Sequence, residues 1–149
     1  MARFQRPKSH IHSIARGFIV QGEEIILCRV KGAGWFFLPG GHIEDGESAR
    51  VTLLRELHEE IGTGNYKVTS FVGVCENIFP LEEDISQHEI NIIFKVDVPQ
   101  EIQLNTKEYH IEYVSVAKKN LRDYKILPTA LKDGILEWLE NEKPFLKEI

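Results

Sequence analysis

Three glutamates, Glu56, Glu59 and Glu60, stand at i, i+3 and i+4 in a segment whose leucines recur at helical spacing. At 100° per residue they fall within an arc of about 100° on one helix face. Like-charged neighbours on a helix destabilise it by roughly a few tenths of a kcal/mol each. Glu59 and Glu60 also lie in the last turn, where the helix dipole disfavours anions. A bound cation would relieve that crowding. Carboxylate oxygens with no Cys and no required His suit Mg²⁺ or Mn²⁺ rather than Zn²⁺. A solvated acidic face is the bland alternative for the three acids alone. Their context adds weight to the first reading. Leu54, Leu57 and Ile61 mark a buried face beside them, and Pro39-Gly40-Gly41 lets backbone approach a ligand closely. Arg55 precedes Glu56 directly, with Glu47 available to pair with it.

Elements can be read around this segment. Residues 12–20 and 24–30 are rich in β-branched and aliphatic side chains, and Gln21-Gly22-Glu23 between them reads as a hairpin turn. Trp35 to Leu38 reads as a short buried strand stopped by Pro39-Gly40-Gly41. Residues 66–78 and 87–98 read as strands separated by an acidic loop, Pro80 to Asp84, and a last strand is expected over His110–Val116. Helical spacing covers 48–61, where Leu53, Leu54, Leu57 and Ile61 recur and Gly62 follows as a C-terminal stop. It covers 128–141 as well, opened by Pro128 with Leu131, Ile135, Leu136, Trp138 and Leu139 as the apolar stripe. Strands and helices interleave, which indicates an α/β or α+β domain with a mixed sheet.

Composition sets outer bounds. The chain has 149 residues, 42% of them hydrophobic, so one domain over 1–149 is expected. Its formal net charge of −5 disfavours a dedicated nucleic-acid binder, which needs a basic face. Small phosphorylated ligands remain compatible, because a divalent metal can supply the positive charge. Cys28 and Cys75 sit in apolar segments and read as reduced core residues. The N-terminal MARFQRPKSHIH lacks the apolar stretch of a signal peptide, and no apolar run approaches the ~20 residues of a membrane span. A cytoplasmic protein without membrane attachment is expected.

The stretch from Gly41 resembles the signature of the Nudix hydrolase family, G-x5-E-x7-R-E-U-x-E-E-x-G-U, with U an apolar aliphatic residue. This chain supplies Gly41, then Glu47, then Arg55-Glu56-Leu57-His58-Glu59-Glu60-Ile61-Gly62-Thr63 in that spacing. Only Thr63 departs from the pattern, at a position expected to pack under the following loop. The resemblance extends to the flanks: the hairpin, Trp35 and Leu38-Pro39 before the box, then more strands and a terminal helix. It implies a Nudix-type mixed β-sheet sandwiched between α-helices. It also implies that Glu56, Glu59 and Glu60 bind the metal, Mg²⁺ or Mn²⁺, helped by the backbone carbonyl of Gly40. Glu47 would orient Arg55 by a charge-assisted hydrogen bond. The implied reaction is hydrolysis of the diphosphate linkage in a nucleoside diphosphate joined to another group.

Several roles stay open at this level. The general base is a box glutamate, Glu56 or Glu59, or an acid among Glu82, Glu83, Asp84 and Glu89. A box residue is preferred, because the loop acids read equally well as a solvated turn. Glu89 enters an apolar strand, so it is either a metal-site acid or a strand-edge charge. Arg29 and Lys31 could contact substrate phosphates or be a solvated strand end, and Trp35 could stack on a base or belong to the core. Two other functions compete: a catalytically silent nucleotide-binding module of the same fold, and a pyrophosphohydrolase of RNA 5′ ends. The groups flanking the diphosphate and the oligomeric state have no recognisable signal.

Overall fold

The computed structural model describes residues 11–62, 64–98 and 110–148. Thr63, the one departure from the signature, lies outside them. β1 (Ile11–Gln21) and β2 (Glu24–Val30) form the expected hairpin, pairing Ile19 with Ile26 and Gln21 with Glu24. Gly22 takes the turn at a φ of 58°, a left-handed conformation that glycine adopts without steric cost. Along both strands the side chains alternate between two cores. Phe18, Val20, Ile25 and Leu27 enter one, while Ala15, Ile19 and Ile26 enter the other.

The rest of the chain covers those two faces. β3 (Gly40–His42) pairs antiparallel with the start of β1, and α1 (Ala49–Glu60) follows. β4 (Lys67–Glu82), β5 (Ile85–Asp97), β6 (Ile111–Ala117), α2 (Thr129–Asn141) and β7 (Phe145–Lys147) complete the order. The sheet runs β6-β2-β1-β5-β4-β7, with β3 beside β1. It is mixed, since β1–β5 and β4–β7 are parallel and the other pairs antiparallel. α1 buries Leu53 and Leu57 in the core that holds Ile19, and α2 buries Leu131, Ile135 and Trp138 in the core that holds Phe18. Each fully buried leucine contributes about 1.5–3 kcal/mol. Helices therefore flank both faces of a mixed sheet, as the family resemblance implied.

Ser48 starts α1: its hydroxyl accepts the Val51 N–H at 3.2 Å, a side-chain cap for an otherwise unbonded donor. Elsewhere the structure corrects the reading. Trp35 to Leu38 form two isolated bridges, Cys28–Phe37 and Phe36–Ile126, rather than a strand. The stretch from Pro80 is not an open loop, because Pro80 pairs with Ser86 and Glu82 with Ile85 across a tight turn. Asp84 makes that turn at a φ of 64°, which Asp tolerates better than most residues. β6 is not the last strand, since β7 adds to the sheet beside β4. A 3-10 helix at Lys118–Asp123 also went unread.

Candidate active site

The site begins with two glycines doing different work. Gly40 has a φ of 148°, and a Cβ there would collide with the backbone oxygen of Ala15. Only glycine lets the chain lie this close to β1. The approach is held by Gly17 N–H donating to Pro39 O at 2.8 Å and Ile43 N–H to Ser13 O at 2.9 Å. A Cβ on Gly41 would instead collide with the carboxylate of Glu56. The missing side chain at 41 is thus the space in which that carboxylate sits.

From this loop the chain enters α1, and Arg55 ties the two together. Its Nε donates to Glu47 Oε2 at 2.7 Å and its Nη2 to Glu47 Oε1 at 2.9 Å. Glu47 also accepts the Thr52 hydroxyl at 3.0 Å and the Glu44 N–H at 3.2 Å. The Arg55 guanidinium holds the Glu47 carboxyl down at about 2, and Glu47 in turn pushes Arg55 above the usual arginine range. Arg55 Nη1 reaches Glu56 at 3.1 Å and Glu59 at 3.3 Å. With Glu44 at 3.8 Å from Nη2, one guanidinium therefore answers four carboxylates. Glu60 turns to a different partner: the Tyr113 phenol donates to its Oε2 at 2.8 Å. Burial, with Cys28 and Glu60 nearby, raises the Tyr113 pKa.

That arrangement modifies the crowding argument, since a cation within the chain already relieves Glu56 and Glu59. Among the described residues, no three acidic, histidine or cysteine side chains converge as a ready-made metal cluster. The donor chemistry nonetheless fits a hard divalent cation. Glu56, Glu59 and Glu60 offer only oxygen, and the Glu56 carboxylate lies in the cradle that the bare Gly41 backbone provides.

A cleft of about 670 Å³ is lined by Trp35, Phe37, Phe79, Asn77, Glu89, Asn91 and Arg16, with Leu127 to Thr129 at the start of α2. None of the three box acids lines it; Arg16, whose charge Glu60 and Glu56 favour, joins it to them. Trp35, 5.8 Å from Phe37 between ring centroids, is thus on the cleft wall rather than in a core. Glu89 is 9% exposed and faces the same cleft, whereas Glu82, Glu83 and Asp84 are exposed at the hairpin end. Arg29 and Lys31 are not brought to the cleft wall. Arg29 reaches Glu112 at 3.4 Å and lies over the Phe36 ring at 5.4 Å, and Lys31 is exposed. Sequence reading missed Arg16, Asn77, Phe79 and Asn91. Arg16 carried a signal: a cation between Ala15 and Gly17 in the otherwise apolar run from Ile14 to Val20.

A mixed sheet flanked by helices, with a glycine loop, an acid-bearing helix and a cleft, defines a protein class that known proteins share. Residues 11–137 match the family model of the NUDIX domain, and the chain belongs to the NUDIX family. Over 85 residues it is 36% identical to an ADP-ribose pyrophosphatase of Methanocaldococcus jannaschii, covering 55% of this chain and 48% of that protein. Over 54 residues it is 30% identical to an uncharacterized Nudix hydrolase, YvcI, of Bacillus subtilis, covering 36% of this chain and 34% of that protein. The matches thus span about half and about a third of these relatives' lengths. Among solved structures, a MutT protein from Methanosarcina mazei superposes with a TM-score of 0.70 at 24% identity, covering 93% of this chain and 99% of that one. A UDP-X diphosphatase superposes with a TM-score of 0.68 at 20% identity, covering 98% and 71%. At these identities the likeness shows the shared fold.

Proposed function

We propose that this chain is a Nudix hydrolase that cleaves the diphosphate linkage of a nucleoside diphosphate joined to another group, using Mg²⁺ or Mn²⁺. One observation carries the proposal: the Glu47–Arg55 fork locks the glycine loop onto α1 and sets Glu56 against Gly41, while Arg16, whose charge Glu56 and Glu60 favour, lines an aromatic-walled cleft. Glu56, Glu59, Glu60 and the Gly40 carbonyl would hold the cation, and Glu89, which lines the cleft, is the further candidate ligand. When bound, it neutralises phosphate oxygens and makes a water more acidic.

The chain's own groups do the rest. Glu47 keeps the Arg55 guanidinium fixed, and Arg55 in turn orients Glu56 and Glu59. Glu56 or Glu59 takes the proton from the attacking water. Tyr113 orients Glu60 through its phenol. The cleft takes the group attached to the diphosphate, with Trp35 and Phe37 offering flat apolar surface for stacking.

ADP-ribose heads the substrates to test, because the Methanocaldococcus jannaschii relative bears that activity in its name. Turnover of ADP-ribose, sugar nucleotides, dinucleoside polyphosphates and oxidised nucleoside triphosphates is measured at alkaline pH with Mg²⁺, Mn²⁺ or EDTA. Metal-dependent release of a nucleoside monophosphate from at least one of them is the expected result. Tight nucleotide binding with no turnover on any of them would favour the silent binding module.

A further inference from the structure

Two arginines stand near the box acids, and they are partnered differently. Arg55 is held by carboxylates, through two bonds to Glu47 and through Nη1 to Glu56 and Glu59. Arg16, on β1, donates from Nε to Asn91 Oδ1 at 3.2 Å and from Nη1 to Leu38 O at 3.1 Å. Both of those acceptors are neutral. Among the described residues Arg16 forms no ion pair, although Glu89, Glu60 and Glu56 lie close enough to favour its charge. A guanidinium carries five N–H donors. Those two bonds leave donors over, and Arg16 lines the cleft.

Burying a cation without a direct carboxylate partner is unfavourable, and burial accordingly pulls the Arg16 pKa down. Its anchors are firm. Asn91 is 1% exposed and donates from Nδ2 to the Cys75 carbonyl at 3.3 Å, which keeps its Oδ1 turned to Arg16. Leu38, the second anchor, is buried. A guanidinium preset by neutral anchors and facing an open cleft is suited to an anion from outside the chain.

We propose that Arg16 is a substrate-binding residue whose guanidinium hydrogen-bonds a non-bridging oxygen of the substrate's diphosphate. The assignment presupposes the diphosphate hydrolysis proposed above and adds a direction to it. The diphosphate runs from the box acids to Arg16, and the group beyond it enters the cleft between Trp35, Phe37 and Phe79. Asn91 is the positioning residue that holds the guanidinium in place.

Methylenediphosphonate, whose P–C–P bridge resists hydrolysis, is measured as a competitive inhibitor of whichever conjugate the wild type turns over with Mg²⁺, beside methylphosphonate. Arg16→Met should weaken the diphosphonate by about ten- to a hundredfold, the range for hydrogen bonds to charged groups, and leave methylphosphonate unchanged. Asn91→Ser keeps the charge and should weaken the diphosphonate by a smaller factor, so the test survives if Arg16→Met does not fold. Unchanged diphosphonate inhibition in whichever of the two folds overturns the role of Arg16, and so does equal weakening of both inhibitors. Absence of turnover by the wild type on every conjugate overturns the hydrolase reading itself, and the role of Arg16 with it.

Discussion

Arg55 and Glu47, eight residues apart, meet through two parallel hydrogen bonds of 2.7 and 2.9 Å, so the loop before α1 is fastened to the helix by one side-chain fork. The same guanidinium spans Glu56 and Glu59. If the fork exists to place those acids, its two halves act as one unit. Glu47→Gln and Arg55→Met should each lower kcat/KM by about ten- to a hundredfold, as loss of an outer partner does at metal sites. The double variant should be little worse than the poorer single one. Multiplying losses would show that the two contribute separately.

The fork also gives stability a pH dependence of known sign. Glu47 titrates at about 2 in the folded chain against 4.5 without its partners. A carboxyl with a depressed folded pKa binds fewer protons in the folded state, so its contribution is complete above about pH 4.5. That contribution fades as pH falls from 4.5 toward 2. Urea midpoints measured from pH 6 to 2 should drop further for the wild type than for Glu47→Gln across this window. Parallel curves would contradict the depressed pKa.

The two loop glycines should fail in opposite ways. Gly40→Ala strains a left-handed backbone and presses on the Ala15 backbone, which cannot yield, so folding should weaken by about 1–3 kcal/mol or more. For Gly41→Ala the three nearest atoms all belong to the end of the Glu56 side chain, which can swing away. Its melting temperature should stay near wild type while turnover falls, because Glu56 is displaced. Thermal melts and initial rates on the two variants separate these outcomes.

Both cysteines should be inert in the native protein. Burial pushes the Cys75 thiol up to about 11, helped by Glu76, and raises Cys28 well above its usual range. The thiolate is the reactive form, so iodoacetamide at pH 8 should leave both unmodified in the folded chain and label both in denaturant. Intact-mass analysis reads this directly. Rapid labelling of the native protein would contradict the burial.

What could be read in advance follows from what each residue needs. α1 was legible because Leu53, Leu57 and Ile61 repeat at helical spacing between Ser48 and Gly62, and the observed helix runs Ala49–Glu60. The hairpin showed itself through alternation and one glycine. The Glu47–Arg55 pair could be anticipated as well, because both partners lie within one local motif. The cleft could not. Arg16, Asn77, Phe79 and Asn91 come from three strands and meet only through sheet pairings such as Ile14 with Asn91 and Asn77 with Glu89. β7 was missed because three residues are too few for a period to show. Pro80 misled in the other direction: a residue that usually breaks strands is tolerated at the end of this hairpin.

The Glu60→Gln variant tests the central claim most directly, because it removes one charge from the proposed metal-binding face and leaves an isosteric amide near Tyr113. Its kcat on the best conjugate at saturating Mg²⁺ is the measurement, with the melting temperature as a check on folding. Turnover should fall by about two orders of magnitude or more, because charge stabilisation by a held cation is worth several kcal/mol in the transition state. Wild-type kcat in a folded Glu60→Gln protein would contradict a metal-assisted hydrolase built on this helix face.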